Sequence, residues 1–227
     1  MARRSSDDVI RTLAARLGRR RWIGACLLAL LVALLAAGCT PSVPDRQQDV
    51  CAVFEQHPDW YDYASDAADE WGTPIHVLMA FVQRESSFRS DARPPRKYVL
   101  WFIPWGRVSS AKGYAQAQDP AWEDYTRDRG SWFRSRGDME DALDFIGWYN
   151  DGTARELGIA RDDAYNLYLA YHEGRGGYRR GTWKKKPEVQ GYARRVAETA
   201  QSYQAQLKRC EEDYRCDSWY QLWPFCS

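Results

Sequence analysis

Glu85 is the side chain of this sequence best placed for acid–base chemistry. It follows Leu78, Phe81 and Val82 by seven, four and three positions, so the pattern places all four residues on one helix face. A carboxylate on an apolar face is costly without a partner or a purpose, and partial burial raises the pKa of a carboxyl group. Such a group can act as a general acid. The alternative is an ion pair with an arginine at the helix end.

Glu85 opens the first of four short motifs along the chain. They are Glu85-Ser86-Ser87-Phe88, Gly113-Tyr114-Ala115-Gln116, AYHEGRG at 170–176 and YARRV at 192–196. They resemble the E-S-x-F, G-L-M-Q, A-Y-N-A-G-x-G and Y-V-x-R-V motifs of the SLT-type lytic transglycosylases, a branch of the lysozyme superfamily. The resemblance covers about Asp59 to Gln201, and the four motifs stand in the family's order.

The resemblance implies a mainly helical domain, similar in fold to goose-type lysozyme, with a glycan groove over the end of the Glu85 helix. It also implies non-hydrolytic cleavage of the bond from N-acetylmuramic acid to N-acetylglucosamine in peptidoglycan. Glu85 would protonate the bridging oxygen and then take the proton of the muramyl C6 hydroxyl, which closes a 1,6-anhydro ring. One carboxyl group suffices when the substrate's N-acetyl group supports the positive charge at the anomeric carbon.

Three further positions match the family's groove residues. Ser86 and Gln116 match positions that shape the groove and hydrogen-bond the glycan, and Tyr171 matches the tyrosine near the catalytic acid. Without the resemblance, these residues would be interpreted as a helix-end hydroxyl, a turn amide and a core aromatic residue.

Glu173 departs from the family pattern, which has alanine at this position. A second carboxylate in the groove could act as a base for water and shift the reaction towards hydrolysis. Alternatively, Glu173 is a solvated side chain paired with Arg175 or Arg179. A hydrolytic muramidase and a non-catalytic peptidoglycan-binding lipoprotein remain alternative functions, although the retention of Glu85 favours an enzyme.

Residues 1–38 have the features of a lipoprotein signal peptide. A basic segment ends in Arg19-Arg20-Arg21, an apolar stretch follows to Ala37, and small residues precede Cys39. This arrangement resembles the bacterial lipobox, which implies that Cys39 is acylated and anchors the chain to a membrane. Thr40 is not the aspartate associated with inner-membrane retention, so the periplasmic face of the outer membrane is favoured. An uncleaved anchor helix is the alternative.

The rest of the chain divides into a tether at 39–50, one domain at 51–212 and an aromatic tail at 213–227. The signal segment holds seven of the 32 basic and two of the 31 acidic side chains, so a net charge of −4 remains. This charge argues against nucleic acid as a partner and leaves peptidoglycan strands as the expected one. The sequence does not indicate an oligomeric state.

Four cysteines remain after Cys39 and the cysteine of the signal segment. They are Cys51, Cys210, Cys216 and Cys226. An even number in an exported protein indicates disulfides, with three possible connectivities. We favour Cys51 with Cys210, which clasps the two ends of the domain, and Cys216 with Cys226. The cysteine and histidine spacings fit no zinc motif, so we expect no metal and no cofactor.

Apolar periodicity predicts an almost entirely α-helical domain. The predicted helices are Asp59–Trp71, a central buried helix from Thr73, as N-cap, to near Phe88, Ala121–Arg129, Met139–Asp151, Asp162–Glu173 and Val189–Tyr214. Residues 91–110 lack a clear period and are predicted to form a long loop with at most a short strand or turn.

Overall fold

The computed structural model describes residues 42–100, 102–130 and 132–215. The chain divides into a unit of residues 1–42 and a compact unit that begins at Val43. Cys39, Cys216 and Cys226 lie outside the described residues, as do the predicted signal peptide and Trp101. No helix within the described ranges is long and apolar enough to cross a bilayer.

The described residues are mainly helical, as the sequence predicts. Seven α-helices occur in these ranges: α1 (Val50–Gln56), α2 (Asp59–Trp71), α3 (Ile75–Ser86), α4 (Asp119–Asp128), α5 (Met139–Leu157), α6 (Ala164–Arg180) and α7 (Pro187–Tyr214). A short 3-10 helix, Thr182–Lys185, joins α6 to α7, and strands β1 (Arg96–Val99) and β2 (Ile103–Arg107) form an antiparallel hairpin between α3 and α4.

Helix α3 is the central buried helix that the sequence predicts. Its residues from Val77 to Val82 are all inaccessible to solvent, and it packs against α2, α5 and α7. The prediction that Thr73 caps this helix is wrong. Pro74, with extended backbone, occupies the cap position, and the Thr73 hydroxyl is buried without a hydrogen-bond partner.

Helix α1 and the residues before it pack against α7. Val50 N–H donates to Gln206 Oε1 at 2.7 Å, Gln206 Nε2 donates to Gln48 O at 2.9 Å, and the Tyr203 hydroxyl donates to Gln47 O. Part of the segment predicted as a flexible tether is therefore bound to α7, because that helix satisfies its backbone polar groups.

A disulfide joins Cys51 in α1 to Cys210 in α7. The favoured pairing of these two cysteines is confirmed. The bond connects positions 159 residues apart and so fastens the first helix of the compact unit to its last.

Residues 91–110 contain a two-stranded hairpin where the sequence predicts a loop with at most one strand. Arg96 faces Arg107 and Val99 faces Ile103, with an irregularity between Arg96 and Tyr98. Every residue of β1 is exposed, so neither face is selected for apolar side chains. Alternation with period two arises only where one face is buried, which explains its absence here.

Candidate active site

Glu85 lies in the last turn of α3 and is half-buried. The helix stops just after it, because Ser87 and Phe88 adopt left-handed backbone angles, with φ of 51° and 58°. The Phe88 ring is fully buried and stacks on Trp60 at a centroid distance of 5.7 Å. Phe88 thus anchors the sharp turn that ends the Glu85 helix.

Burial raises the pKa of Glu85 to about 7. A hydrogen bond with Tyr168 and the positive charge of Arg84 act in the opposite direction and favour the carboxylate. At neutral pH the side chain therefore populates both its protonated and its ionised form. A group with this property can donate a proton in one step and accept one in the next.

Tyrosines of α6 surround Glu85. Tyr168 is buried and shares a hydrogen bond with the Glu85 carboxyl group. The Tyr171 hydroxyl donates to Ala115 O at 2.6 Å, and its ring meets Phe81 edge-on at 5.4 Å. Burial, followed by the charge of Glu85, raises the pKa of Tyr171 well above its usual value. Tyr171 thus links the second motif to the neighbourhood of Glu85.

The second motif forms a tight turn that only glycine permits at its start. Gly113 has a φ of 75°, and a Cβ there would lie 1.7 Å from Arg136 O. Tyr114 is fully buried and meets Trp60 edge-on at 5.7 Å, so it fills core space. Gln116, also left-handed, donates from Nε2 to Gly113 O at 2.9 Å and to Ala92 O at 3.0 Å.

A cleft of about 310 Å³ opens between this turn and α5 and α6. It is lined by Gln116, Ala117, Gln118, Pro120, Ala121, Phe145, Tyr149, Tyr171, His172, Glu173 and Gly174. Aromatic rings with a few polar groups are typical of sites that bind sugars or other small ligands. Glu85 itself is not among the lining residues, but Tyr171 of the cleft wall packs on Phe81, one helical turn before Glu85, so the acid lies near the cleft.

Comparison with known protein families identifies the family of this chain. The model of the transglycosylase SLT domain family matches residues 27–210, most of the chain. This protein belongs to the transglycosylase SLT domain family. No curated protein matches the chain. Family membership implies lytic transglycosylase activity on peptidoglycan in general, and the helical architecture is that of a lysozyme-like SLT domain.

Ser86 of this SLT domain uses its hydroxyl within its own helix. The side chain is buried, and Oγ donates to Val82 O at 3.1 Å. The structure places Ser86 beside Glu85, but it is not among the residues that line the cleft. Gln116, Tyr171 and Glu173 do line the cleft, so three of the four predicted substrate-binding residues lie together there.

Glu173 is a buried ion-pair partner, with only 5% of its side chain exposed. Its carboxylate accepts from Lys186 Nζ at 2.8 Å and from Thr182 Oγ1 at 2.5 Å, and His172 Nδ1 lies 3.2 Å away. Burial opposes its charge, but these bonds prevail and lower its pKa. The expected pairing with Arg175 or Arg179 is wrong for this carboxylate.

Arg175 and Arg179 form hydrogen bonds with residues of α5 instead. Arg175 donates to Tyr149 O at 3.0 Å and to Thr153 Oγ1 at 3.2 Å, while Arg179 donates to Glu156 Oε1 at 2.5 Å. Gly174, with φ 73° and ψ 154°, interrupts α6 just before them. This backbone conformation is essentially restricted to glycine and turns the following residues away from the direction that a straight helix predicts.

Two contacts of the SLT domain site were not predicted from the sequence. Tyr168 bonds Glu85, and the Arg84 guanidinium lies 4.0 Å from the ring centroid of Tyr192 on α7. The second contact brings the fourth motif next to α3, the helix that carries Glu85. Tyr168 could have been found from its position three residues before Tyr171, which gives both tyrosines one helix face. Among the described residues, no cluster of histidine, cysteine and carboxylate side chains could hold a metal ion.

Proposed function

We propose that this SLT domain cleaves the β-1,4 bond between N-acetylmuramic acid and N-acetylglucosamine without water and leaves 1,6-anhydromuramyl ends. The observation that carries the proposal is the half-buried Glu85, with a pKa of about 7, next to an aromatic cleft. A carboxyl group that is protonated in part at neutral pH can act as an acid on the bridging oxygen.

Glu85 performs both proton transfers in this mechanism. It first gives its proton to the oxygen of the leaving N-acetylglucosamine unit while the C1–O bond breaks. The resulting carboxylate, which the Tyr168 hydrogen bond stabilises, then accepts the proton of the C6 hydroxyl as that oxygen attacks C1. The carboxyl group returns to its starting state. Lys186 and Thr182 bind the Glu173 carboxylate and lower its pKa, which makes it a weak base for water and supports the non-hydrolytic reaction.

We also propose that the domain is anchored in the cell envelope by a lipid on Cys39, on the periplasmic face of the outer membrane. Fully extended, the chain from Cys39 to Val43 spans at most about 14 Å. Such a link would hold the compact unit close to the membrane. Metabolic labelling with a radioactive fatty acid tests the anchor, and label that remains after Cys39→Ala would contradict it.

Mass spectrometry of the fragments released from purified sacculi tests the reaction. We expect anhydromuramyl ends from the wild-type chain and a loss of roughly 10²- to 10⁴-fold in release rate for Glu85→Gln. Glu188→Gln removes an exposed carboxylate outside the cleft and serves as the matched control. Reducing muramyl ends would show a hydrolytic muramidase instead. Binding to sacculi without release by the folded wild type would show a non-catalytic lipoprotein.

A further inference from the structure

One end of the β1–β2 hairpin exposes apolar side chains to solvent. This end, named the tip, carries Tyr98, Val99, Leu100 and Trp105. Tyr98, Leu100 and Trp105 are 57%, 67% and 72% exposed, and Val99 is also exposed. Residues 98–105, YVLWFIPW, include no charged side chain. Exposed apolar residues are ordinary one at a time, but a contiguous group of this kind marks an interaction surface.

The root of the same hairpin is cationic. Arg96 and Arg107 face each other across the two strands, and Lys97 follows Arg96 directly. Like charges in directly opposed positions destabilise a strand pair. Among the residues that the structure describes, no carboxylate lies within ion-pairing distance, 4.0 Å, of these three cations. The root is therefore a site whose repulsion an anionic partner would relieve.

We propose that this hairpin docks on the surface of a bilayer that contains anionic phospholipids. The tip enters the boundary between headgroups and acyl chains, and the root cations contact the headgroup phosphates. Leu100 lies four positions after Arg96, just beyond the end of β1, which is a rise of at most about 13 Å. This distance suits a hairpin with its cations at the headgroups and an apolar tip that enters by 5–10 Å, roughly the depth typical of interfacial segments.

The exposure of both faces of the tip and its residue types favour lipid as the binding partner over a glycan strand or a protein groove. Tyr98 and Val99 point to opposite faces of β1, and both are exposed. A wall of a binding groove would require apolar residues on only one face, whereas lipid surrounds an inserted tip on all sides. Tyrosine and tryptophan are also the residues enriched at membrane interfaces, with lysine and arginine beside them.

The hairpin is connected to the cleft through short hydrogen bonds at its root. Arg107 Nη1 donates to Pro94 O at 2.7 Å, and Val108 N–H donates to Pro95 O at 3.2 Å. Two residues earlier, Ala92 O accepts the hydrogen bond from the cleft residue Gln116. Docking of the tip would therefore fix the direction in which the cleft faces relative to the membrane.

Flotation with lipid vesicles tests the proposal. The protein is a chain that begins at Val43, which retains the whole described core and the Cys51–Cys210 disulfide. The vesicles contain 30% phosphatidylglycerol in phosphatidylcholine. Leu100→Ser/Trp105→Ser is expected to weaken binding by more than about tenfold, because both side chains lose the apolar area that would leave water.

Trp132→Ser/Phe133→Ser is the matched control. These two aromatic residues, 82% and 77% exposed, lie outside the hairpin with their ring centroids 3.8 Å apart. Their replacement removes a similar area and is expected to leave vesicle binding unchanged. All four positions are exposed, so the variants should keep the wild-type melting temperature.

Charge variants and neutral vesicles test the root of the hairpin. Replacing Arg96 and Lys97 by Gln should weaken binding by about fivefold per cation, and pure phosphatidylcholine vesicles should bind poorly. Wild-type binding that is absent, or equal in the tip variant and the control pair, would overturn the proposal. So would a tip variant that binds vesicles normally but loses binding to sacculi, since the occupant would then be the glycan.

Discussion

Glu85 and Asp144 are both carboxylates that face inward from a helix, but their surroundings differ. The Asp144 carboxylate, on α5, accepts from Trp71 Nε1 and from the Tyr125 hydroxyl, each at 2.6 Å. Arg134 Nη1 lies 2.7 Å from it and Arg129 Nε lies 3.2 Å away. Two cations and two neutral donors thus surround one carboxylate.

Glu85 has fewer compensating groups around it. Tyr168 gives one hydrogen bond and Arg84 a nearby positive charge, and burial still raises the pKa to about 7. One helical domain can therefore contain a carboxylate that several donors hold and another whose burial is only partly compensated. Four donors hold the Asp144 carboxylate in place, whereas incomplete compensation leaves Glu85 able to exchange a proton.

Asp144→Asn tests the structural side of the comparison and should have the largest effect on stability. The amide places N–H donors against groups that are themselves donors, and it removes the negative charge between two arginines. We expect the free energy of unfolding to fall by about 3 kcal/mol, measured by urea denaturation. The control variant is Asp128→Asn. The exposed Asp128 carboxylate also accepts a hydrogen bond from an indole, Trp148 Nε1, at 2.7 Å.

The Asp128 variant should lose less than about 1 kcal/mol, since its carboxylate remains hydrated. Normal stability of the Asp144 variant would contradict the structural role. Lost activity at temperatures where that variant is fully folded would place Asp144 in the reaction instead.

The pH dependence of stability tests the Glu85 side of the comparison. Glu85 titrates near 7 when folded and near 4.5 as an ordinary carboxyl group, so between these values the folded state binds more protons. The contribution of Glu85 to the free energy of unfolding therefore decreases as pH rises, by at most about 3 kcal/mol. Glu85→Gln should remove this decrease. The free energy of unfolding of the variant should therefore rise relative to that of the wild type between pH 4.5 and pH 7.

Glu173 should behave in the opposite way, because its pKa is lowered. It contributes stability above its unfolded pKa, and that stability is lost as pH falls through the folded value. Urea denaturation of the wild type and both Gln variants separates the two groups, because Glu85 acts between pH 4.5 and about 7 and Glu173 acts only below pH 4.5. Parallel curves for the wild type and Glu85→Gln would mean that Glu85 is not desolvated.

Tyr168→Phe should have the smallest effect. It removes the hydrogen bond that favours the Glu85 carboxylate, so the pKa of Glu85 rises further. The loss of activity at high pH should then occur at a higher pH than in the wild type, with a change below about tenfold in kcat/KM at pH 7. Tyr178→Phe, which removes a bond to Asn166 on the same helix, should leave the pH profile unchanged. Identical profiles for the two variants would show that Tyr168 does not act on Glu85.

The sequence was sufficient for the helical class and for the position of Glu85 at the end of a buried helix. The spacing of Leu78, Phe81 and Val82 predicted the buried face that carries Glu85, and α3 has that face. The motif resemblance also predicted that Tyr171 lies near Glu85, and its position between Phe81 and Ala115 agrees with that expectation.

Other features depended on contacts that no local pattern records. The partner of Glu173 is Lys186, beyond the end of α6, so the neighbouring arginines were the wrong expectation. Helix α1 has only seven residues, and α7 supplies contacts to it from more than 150 positions away. Strand β1 has no alternating pattern because all of its residues are exposed.

The disulfide between α1 and α7 also determines how the domain would carry a mechanical load. A pull on the two ends of the chain passes directly from Cys51 to Cys210 through one covalent link. The intervening residues, with the hairpin, the cleft and Glu85, form a closed loop that the force bypasses. Under tension only the segments outside positions 51 and 210 would extend, and the site that cuts the wall would keep its shape while the wall is strained.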